Sequence, residues 1–119
     1  MLKFVLLLIF SFFFNIITTA QTANPKNISG QVYDNLSNEP IEYANIVLFS
    51  NIDSLLISGT VTDSEGNFSI NGIKNGSYYL AVRFIGYEET RFDVDFRENT
   101  SVVDLGRIHI SAHAINLEN

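Results

Sequence analysis

The 119-residue chain has no cysteine and no tryptophan, one methionine, two prolines and two histidines. Without cysteine no disulfide framework can form, so burial alone must hold the fold. The same absence excludes a bacterial lipoprotein anchor, which needs a cysteine at the processing site. Basic residues are also scarce, seven against thirteen acidic. That balance excludes nucleic acid as a partner, because phosphate demands a basic face. It leaves small ligands open.

Apolar residues are abundant at the start. Lys3 gives a short basic segment, and residues 4–17 are apolar apart from Ser11 and Asn15. Thr18, Thr19 and Ala20 then supply small side chains. This order predicts a secretory signal peptide over residues 1–20, cut between Ala20 and Gln21. A run of about 14 apolar residues is short of the roughly 20 that a spanning helix needs. Removal of the signal leaves 119 − 20 = 99 residues, with six basic and thirteen acidic side chains and a net charge of −7. That is enough for one domain with one core. The protein is therefore expected to be exported.

Residues 21–27 read as a polar leader containing Pro25. Short alternating segments follow. Ile28, Gly30 and Val32 share one face of a first strand, and residues 44–49 form a second. Ile57, Gly59 and Val61 alternate with Ser58, Thr60 and Thr62, which predicts the apolar set inward and the hydroxyls in water. The stretch from Gly59 to Ile70 reads as a tight β-hairpin around Asp63-Ser64-Glu65-Gly66-Asn67, with Gly66 at positive φ. Asn71-Gly72 and Asn75-Gly76 mark turns. Tyr78, Leu80, Val82 and Phe84 then oppose Tyr79, Ala81, Arg83 and Ile85, and Phe92, Val94 and Phe96 oppose a charged face. Residues 102–110 form the last strand, with Gly106 as a bulge, and residues 111–119 read as a tail or the start of a linker. Seven short strands and no helix predict an all-β fold, a seven-stranded antiparallel β-sandwich.

The motifs occur in a specific order. Gly30-x-Val32-x-Asp34 is followed by Pro40-Ile41-x-x-Ala44-Asn45-Ile46, then Thr62-Asp63-x-x-Gly66-x-Phe68, Gly76-x-Tyr78-x-Leu80 and Ile85-Gly86-Tyr87. Over residues 28–110 this resembles the carboxypeptidase-regulatory-like domain, a transthyretin (prealbumin)-like β-sandwich. The run from Asp53 to Thr60 and the turn at Gly86-Tyr87 are similar to the version found in Bacteroidetes, where the domain commonly follows the signal peptide of outer-membrane β-barrels, including TonB-dependent receptors. The resemblance implies a non-catalytic interaction module in the periplasm or outer membrane of a Gram-negative bacterium, with an envelope protein or an attached barrel as partner. A stand-alone glycan- or peptide-binding domain is the alternative. Asp53-Ser54-Leu55 is similar to a Bacteroidetes O-glycosylation acceptor, with Ser54 as the modified residue.

No catalytic, cofactor or metal residues are expected. Asp63, Glu65 and Asn67 alternate like calcium ligands, but the twelfth position of that template holds Lys74 in place of a bidentate Glu. His109 and His113, four residues apart on a strand, would lie roughly 13 Å apart, too far to share a zinc ion. The transthyretin-like fold includes a purine-pathway hydrolase with a C-terminal Tyr-Arg-Gly-Ser; this chain ends Ile115-Asn116-Leu117-Glu118-Asn119. The motif residues have structural roles of their own. Gly30 and Gly66 suit close approach or positive φ, Asp34 and Asp63 suit turns, Pro40 and Ala44 set up the second strand, and Phe68 and Tyr78 suit the core. Tyr43, Tyr79 and Tyr87 are candidate contact aromatics.

Overall fold

The computed structural model describes residues 26–114. The signal peptide and its cleavage site at Ala20 and Gln21 lie outside those residues. The described residues form seven strands and no helix: β1 Lys26–Asp34, β2 Asn45–Ser50, β3 Leu56–Val61, β4 Asn67–Ile73, β5 Gly76–Arg83, β6 Thr90–Phe96 and β7 Val102–Ile110. They make two layers, a three-stranded sheet in the order β4-β1-β7 and a four-stranded sheet in the order β3-β2-β5-β6. Period-2 alternation turns one face of each strand to the space between the layers. Ile28 and Val32 of β1, Ile46 and Leu48 of β2, Leu80 and Val82 of β5, and Ile110 of β7 are fully buried there. Phe68 and Ile70 of β4, Val94 and Phe96 of β6 and Ile108 complete the core. Tyr78 meets the Phe96 ring edge-on, with centroids 6.3 Å apart.

Gly30 lets the layers close. It pairs with Phe68, whose ring covers it so closely that a Cβ there would lie 2.8 Å from the ring. The last strand bends where expected. Gly106 has φ +64, its amide donates to Asp104 Oδ1, and the β1–β7 register shifts there. The outer ends are pinned as well. β1 starts at Lys26, inside the stretch expected as leader. At the other end Glu88 N donates to Ser111 O and His113 N to Gly86 O, so residues 111–114 lie along the turn after β5 rather than leaving the domain as a tail.

Four expectations are corrected. First, Gly59–Ile70 is not a hairpin. β3 and β4 lie in different layers, and the Asp63–Gly66 turn carries the chain between them. The cause is Thr62, which is buried. Its hydroxyl accepts from Ala44 N at 2.9 Å and donates to Ile41 O at 2.6 Å, tying the end of β3 to the approach to β2. Gly66, at φ +78, then packs onto the Val32 carbonyl and sends the chain to β1. Second, β3 faces the other way. Ser58, Thr60 and Thr62 point inward, while Ile57 and Val61 are 48% and 50% exposed. A register shift against Leu48/Phe49 leaves Ile57 as a bulge, and the hydrogen-bonded Thr62 hydroxyl makes the polar set the one that is buried. Third, Asn71-Gly72 is no turn; it lies within β4, where the pairing with β1 is irregular. Fourth, the sandwich is not wholly antiparallel, because β1 and β7 run parallel. Alternation has the same period in either strand direction, so it carries no signal for this.

Candidate functional site

The outer face of the four-stranded sheet has a definite chemistry. Because β2 and β5 pair Phe49 with Tyr79, their outward rings stack with centroids 4.9 Å apart and 17° between planes. Arg83 lies over Phe49 at 5.5 Å and Arg91 over Tyr79 at 5.1 Å. Glu89 joins the two cations, accepting from Nε of each. The Arg91 and Arg83 guanidiniums hold its carboxyl below the usual carboxylate range, and Glu89 in turn raises the Arg91 pKa. One carboxylate between two guanidiniums leaves this cluster with a net charge of +1. The alternation of Tyr79, Ala81 and Arg83 was legible in the sequence, but the pairing that stacks Phe49 on Tyr79 depends on register.

That face runs out to β3, an edge strand. Its sequence Leu56-Ile57-Ser58-Gly59-Thr60-Val61 carries no charge. Leu55, Leu56, Ile57 and Val61 are all about half exposed or more. The opposite edge, β6, is different. It presents Arg91, Asp93 and Asp95 outward, and Asp95 accepts from Ser77 Oγ at 2.7 Å. Charge on an edge blocks the approach of a further strand, and β3 lacks that protection.

A second cluster sits where β1 ends. Asp34 Oδ1 accepts from the amides of Leu36 (2.8 Å) and Ser37 (2.7 Å), and the Tyr87 hydroxyl donates to Asp34 Oδ2 at 2.5 Å. Tyr87 and those amides hold the Asp34 carboxyl at about 2, while Asp34 raises the Tyr87 pKa. Pro40, Ile41 and Phe84 line the adjoining cleft of about 250 Å³. The pair ties the turn after β5 to the turn after β1, and Ser37, Glu39 and Glu42 also line the cleft.

The remaining sequence candidates lie apart. Asp63 Oδ1 accepts from the amides of Glu65 and Asn67, so that turn spends its acid on its own backbone. His109 approaches Asn38 at 3.3 Å, and His113 is held by its backbone at Gly86. Among the described residues no three His, Asp or Glu side chains converge as metal ligands. Gly76 opens β5, and Gly86 has φ +82 in the turn before Tyr87. Ser54 is exposed in the β2–β3 loop, and its amide donates to Ser50 O. Tyr43 is 67% exposed, whereas Tyr79 and Tyr87 are partly covered by the contacts above. On the three-stranded sheet, a cleft of about 380 Å³ is lined by Ser29, Gln31, Asn67 and Asp104, with Gln31 Nε2 donating to Asn67 Oδ1 at 2.6 Å.

Residues 28–118 match the CarboxypepD_reg-like domain. The chain belongs to that family. No curated protein matches the sequence. Among solved structures, this CarboxypepD_reg-like domain is similar to the Bacillus anthracis TIE protein, with a TM-score of 0.62 and 14% identity over 74% of this chain and 17% of that one. It is also similar to BcpA, the major pilin subunit of Bacillus cereus, with a TM-score of 0.62 and 18% identity over 76% and 31% of the two chains. A third similar structure is the Klebsiella pneumoniae 5-hydroxyisourate hydrolase, with a TM-score of 0.55 and 15% identity over 73% and 87%. The chain thus spans less than a third of the length of the first two. At such identities the likeness is one of fold, a transthyretin-like sandwich shared by pilins and enzymes alike.

Proposed function

We propose that this CarboxypepD_reg-like domain is a non-catalytic, exported interaction module that acts in the periplasm or at the outer membrane, as the N-terminal extension of a TonB-dependent receptor or other β-barrel protein. The observation that supports this reading best is the uncharged edge β3, which exposes Leu56, Ile57 and Val61 beside free backbone groups. An edge of this kind binds a partner by accepting a further strand, with main-chain hydrogen bonds supplying affinity and the outward side chains supplying selectivity. The motif order and the predicted signal peptide supply the envelope context, with an envelope protein or the attached barrel as partner. Ser54, exposed at the loop entering β3, is the proposed O-glycan acceptor. Its test is the intact mass of the protein from its native host, which should fall to that of the bare chain in Ser54→Ala.

The reading is tested by capture of envelope proteins on the immobilised domain. Capture should survive Asp93→Lys on β6 and be lost in Ile57→Lys/Val61→Lys on β3. Equal capture by all three proteins, or by none, overturns it. A second reading, a glycan- or peptide-binding domain working alone, is favoured by the amide-lined cleft at Gln31 and Asn67. It requires saturable binding to a glycan or peptide panel that is lost in Gln31→Ala.

A further inference from the structure

Strand β3 is chemically symmetric about Gly59. Reading outward from that residue, Ser58 and Thr60 are hydroxyls, and Ile57 and Val61 are β-branched apolar side chains. An antiparallel pair of identical strands centred on Gly59 therefore sets Ser58 against Thr60 and Ile57 against Val61, twice each. Such like-for-like opposition is the arrangement that stabilises a sheet.

The backbone agrees with the same centre. Thr62 N donates to Ala44 O and Thr62 O accepts from Tyr43 N, so the polar groups of Thr62 face β2. Hydrogen-bonding direction alternates along a strand, which turns those of Thr60 and Ser58 to β2 and those of Val61 and Gly59 outward. Across a two-fold axis at Gly59, the two glycines exchange both of their hydrogen bonds. This centre also pairs all of residues 57–61 within the strand, which centres one residue to either side do not. The bulge at Ile57 marks the end of the regular edge. No charge lies on β3 to repel an identical strand. Lys74 lines a cleft of about 340 Å³ with Ile57 and Ser58 at the start of β3.

We propose that the partner of β3 is a second copy of this chain, paired antiparallel about Gly59 to join two four-stranded sheets into one of eight strands. The proposal rests on the reading of β3 as a binding edge and names its occupant. A single short strand makes an interface at or below about 1,200 Å², so the dimer is a weak, concentration-dependent one.

The test uses residues 21–119, which contain the entire described core, in sedimentation velocity from roughly 10 µM to 1 mM, a range that brackets weak association. The unaltered chain should pass from monomer to dimer. Ile57→Lys/Val61→Lys sets lysine against lysine at both ends and should remain monomeric. Ile57→Lys/Val61→Glu sets lysine against glutamate at both ends and should still dimerise; only the 57-to-61 register makes these two variants differ. Because the chain has no cysteine, Gly59→Cys provides an independent check. Opposed residues of a hydrogen-bonded pair have Cα atoms about 5.5 Å apart, within disulfide reach. Oxidation should therefore cross-link Gly59→Cys into dimers and leave Asp93→Cys on β6 monomeric. A chain that stays monomeric throughout overturns the proposal, as does a lysine–glutamate variant that dissociates like the lysine pair. If the monomeric chain still captures an envelope protein through β3, the proposal falls while the interaction-module reading stands.

Discussion

At the scale of single residues, stability and titration are controlled by polar groups that alternation alone does not rank. Thr62 is the clearest case, a hydroxyl placed by its period on the wet face but buried and bonded at both its donor and its acceptor position. Thr62→Val keeps the shape and strands the Ala44 amide and Ile41 carbonyl. It should cost about 1–3 kcal/mol in urea unfolding, the range for unpartnered buried groups. The Asp34–Tyr87 pair carries a pH signature. The Asp34 pKa is lowered from its ordinary 3.8 to about 2, so its contribution to stability is present above about pH 4 and lost as pH falls through 2. The Tyr87 pKa is raised from 10.0, so its contribution is present below pH 10 and lost as pH rises past it. Tyr87→Phe removes the largest cause of the Asp34 shift and should move the carboxyl titration, followed by NMR, back toward 3.8.

At the scale of elements, the decisive feature is the turn that carries the chain from β3 to β4. Gly66 was marked by its turn chemistry, and its φ of +78 agrees, yet the turn joins two layers instead of two paired strands. A Cβ on Gly66 would lie 2.5 Å from the Val32 carbonyl, a backbone atom that cannot swing aside. Gly66→Ala combines that clash with left-handed strain of roughly 1–2 kcal/mol. It should destabilise the protein by more than about 2 kcal/mol in urea unfolding, while alanine at exposed Ser64 should change little. The faces of β5 and β6 were legible because each is a run of large apolar residues at period 2, and burying such a run outweighs any local polar contact. β1 and β3 carry the same spacing, Ile28-x-Gly30-x-Val32 and Ile57-x-Gly59-x-Val61, yet only β1 buries it, so alternation did not place the face of β3. There the Thr62 hydrogen bonds and the bulge at Ile57 outweigh so small an apolar set.

At the scale of the whole molecule, the two sheets share one core, to which every strand except the edge β3 contributes buried apolar side chains. Neither layer can persist without the other, so unfolding should be a single cooperative transition. Urea curves from tyrosine fluorescence and from far-ultraviolet circular dichroism should coincide; a separate transition for either probe would contradict the shared core. The two long edges of the four-stranded sheet are unlike, β6 charged and β3 not, so within that sheet β3 is the edge open to a partner strand.

The order of polar turns and apolar runs determined by itself that the chain makes seven strands, which positions feed most of the core, and which family it belongs to, because burial and turn preference act over a few neighbouring residues. Strand direction, layer assignment and the outward face of β3 were decided only in the folded molecule. Each depends on which strand lies beside which, and backbone pairing between residues far apart in sequence leaves no periodic trace along the chain.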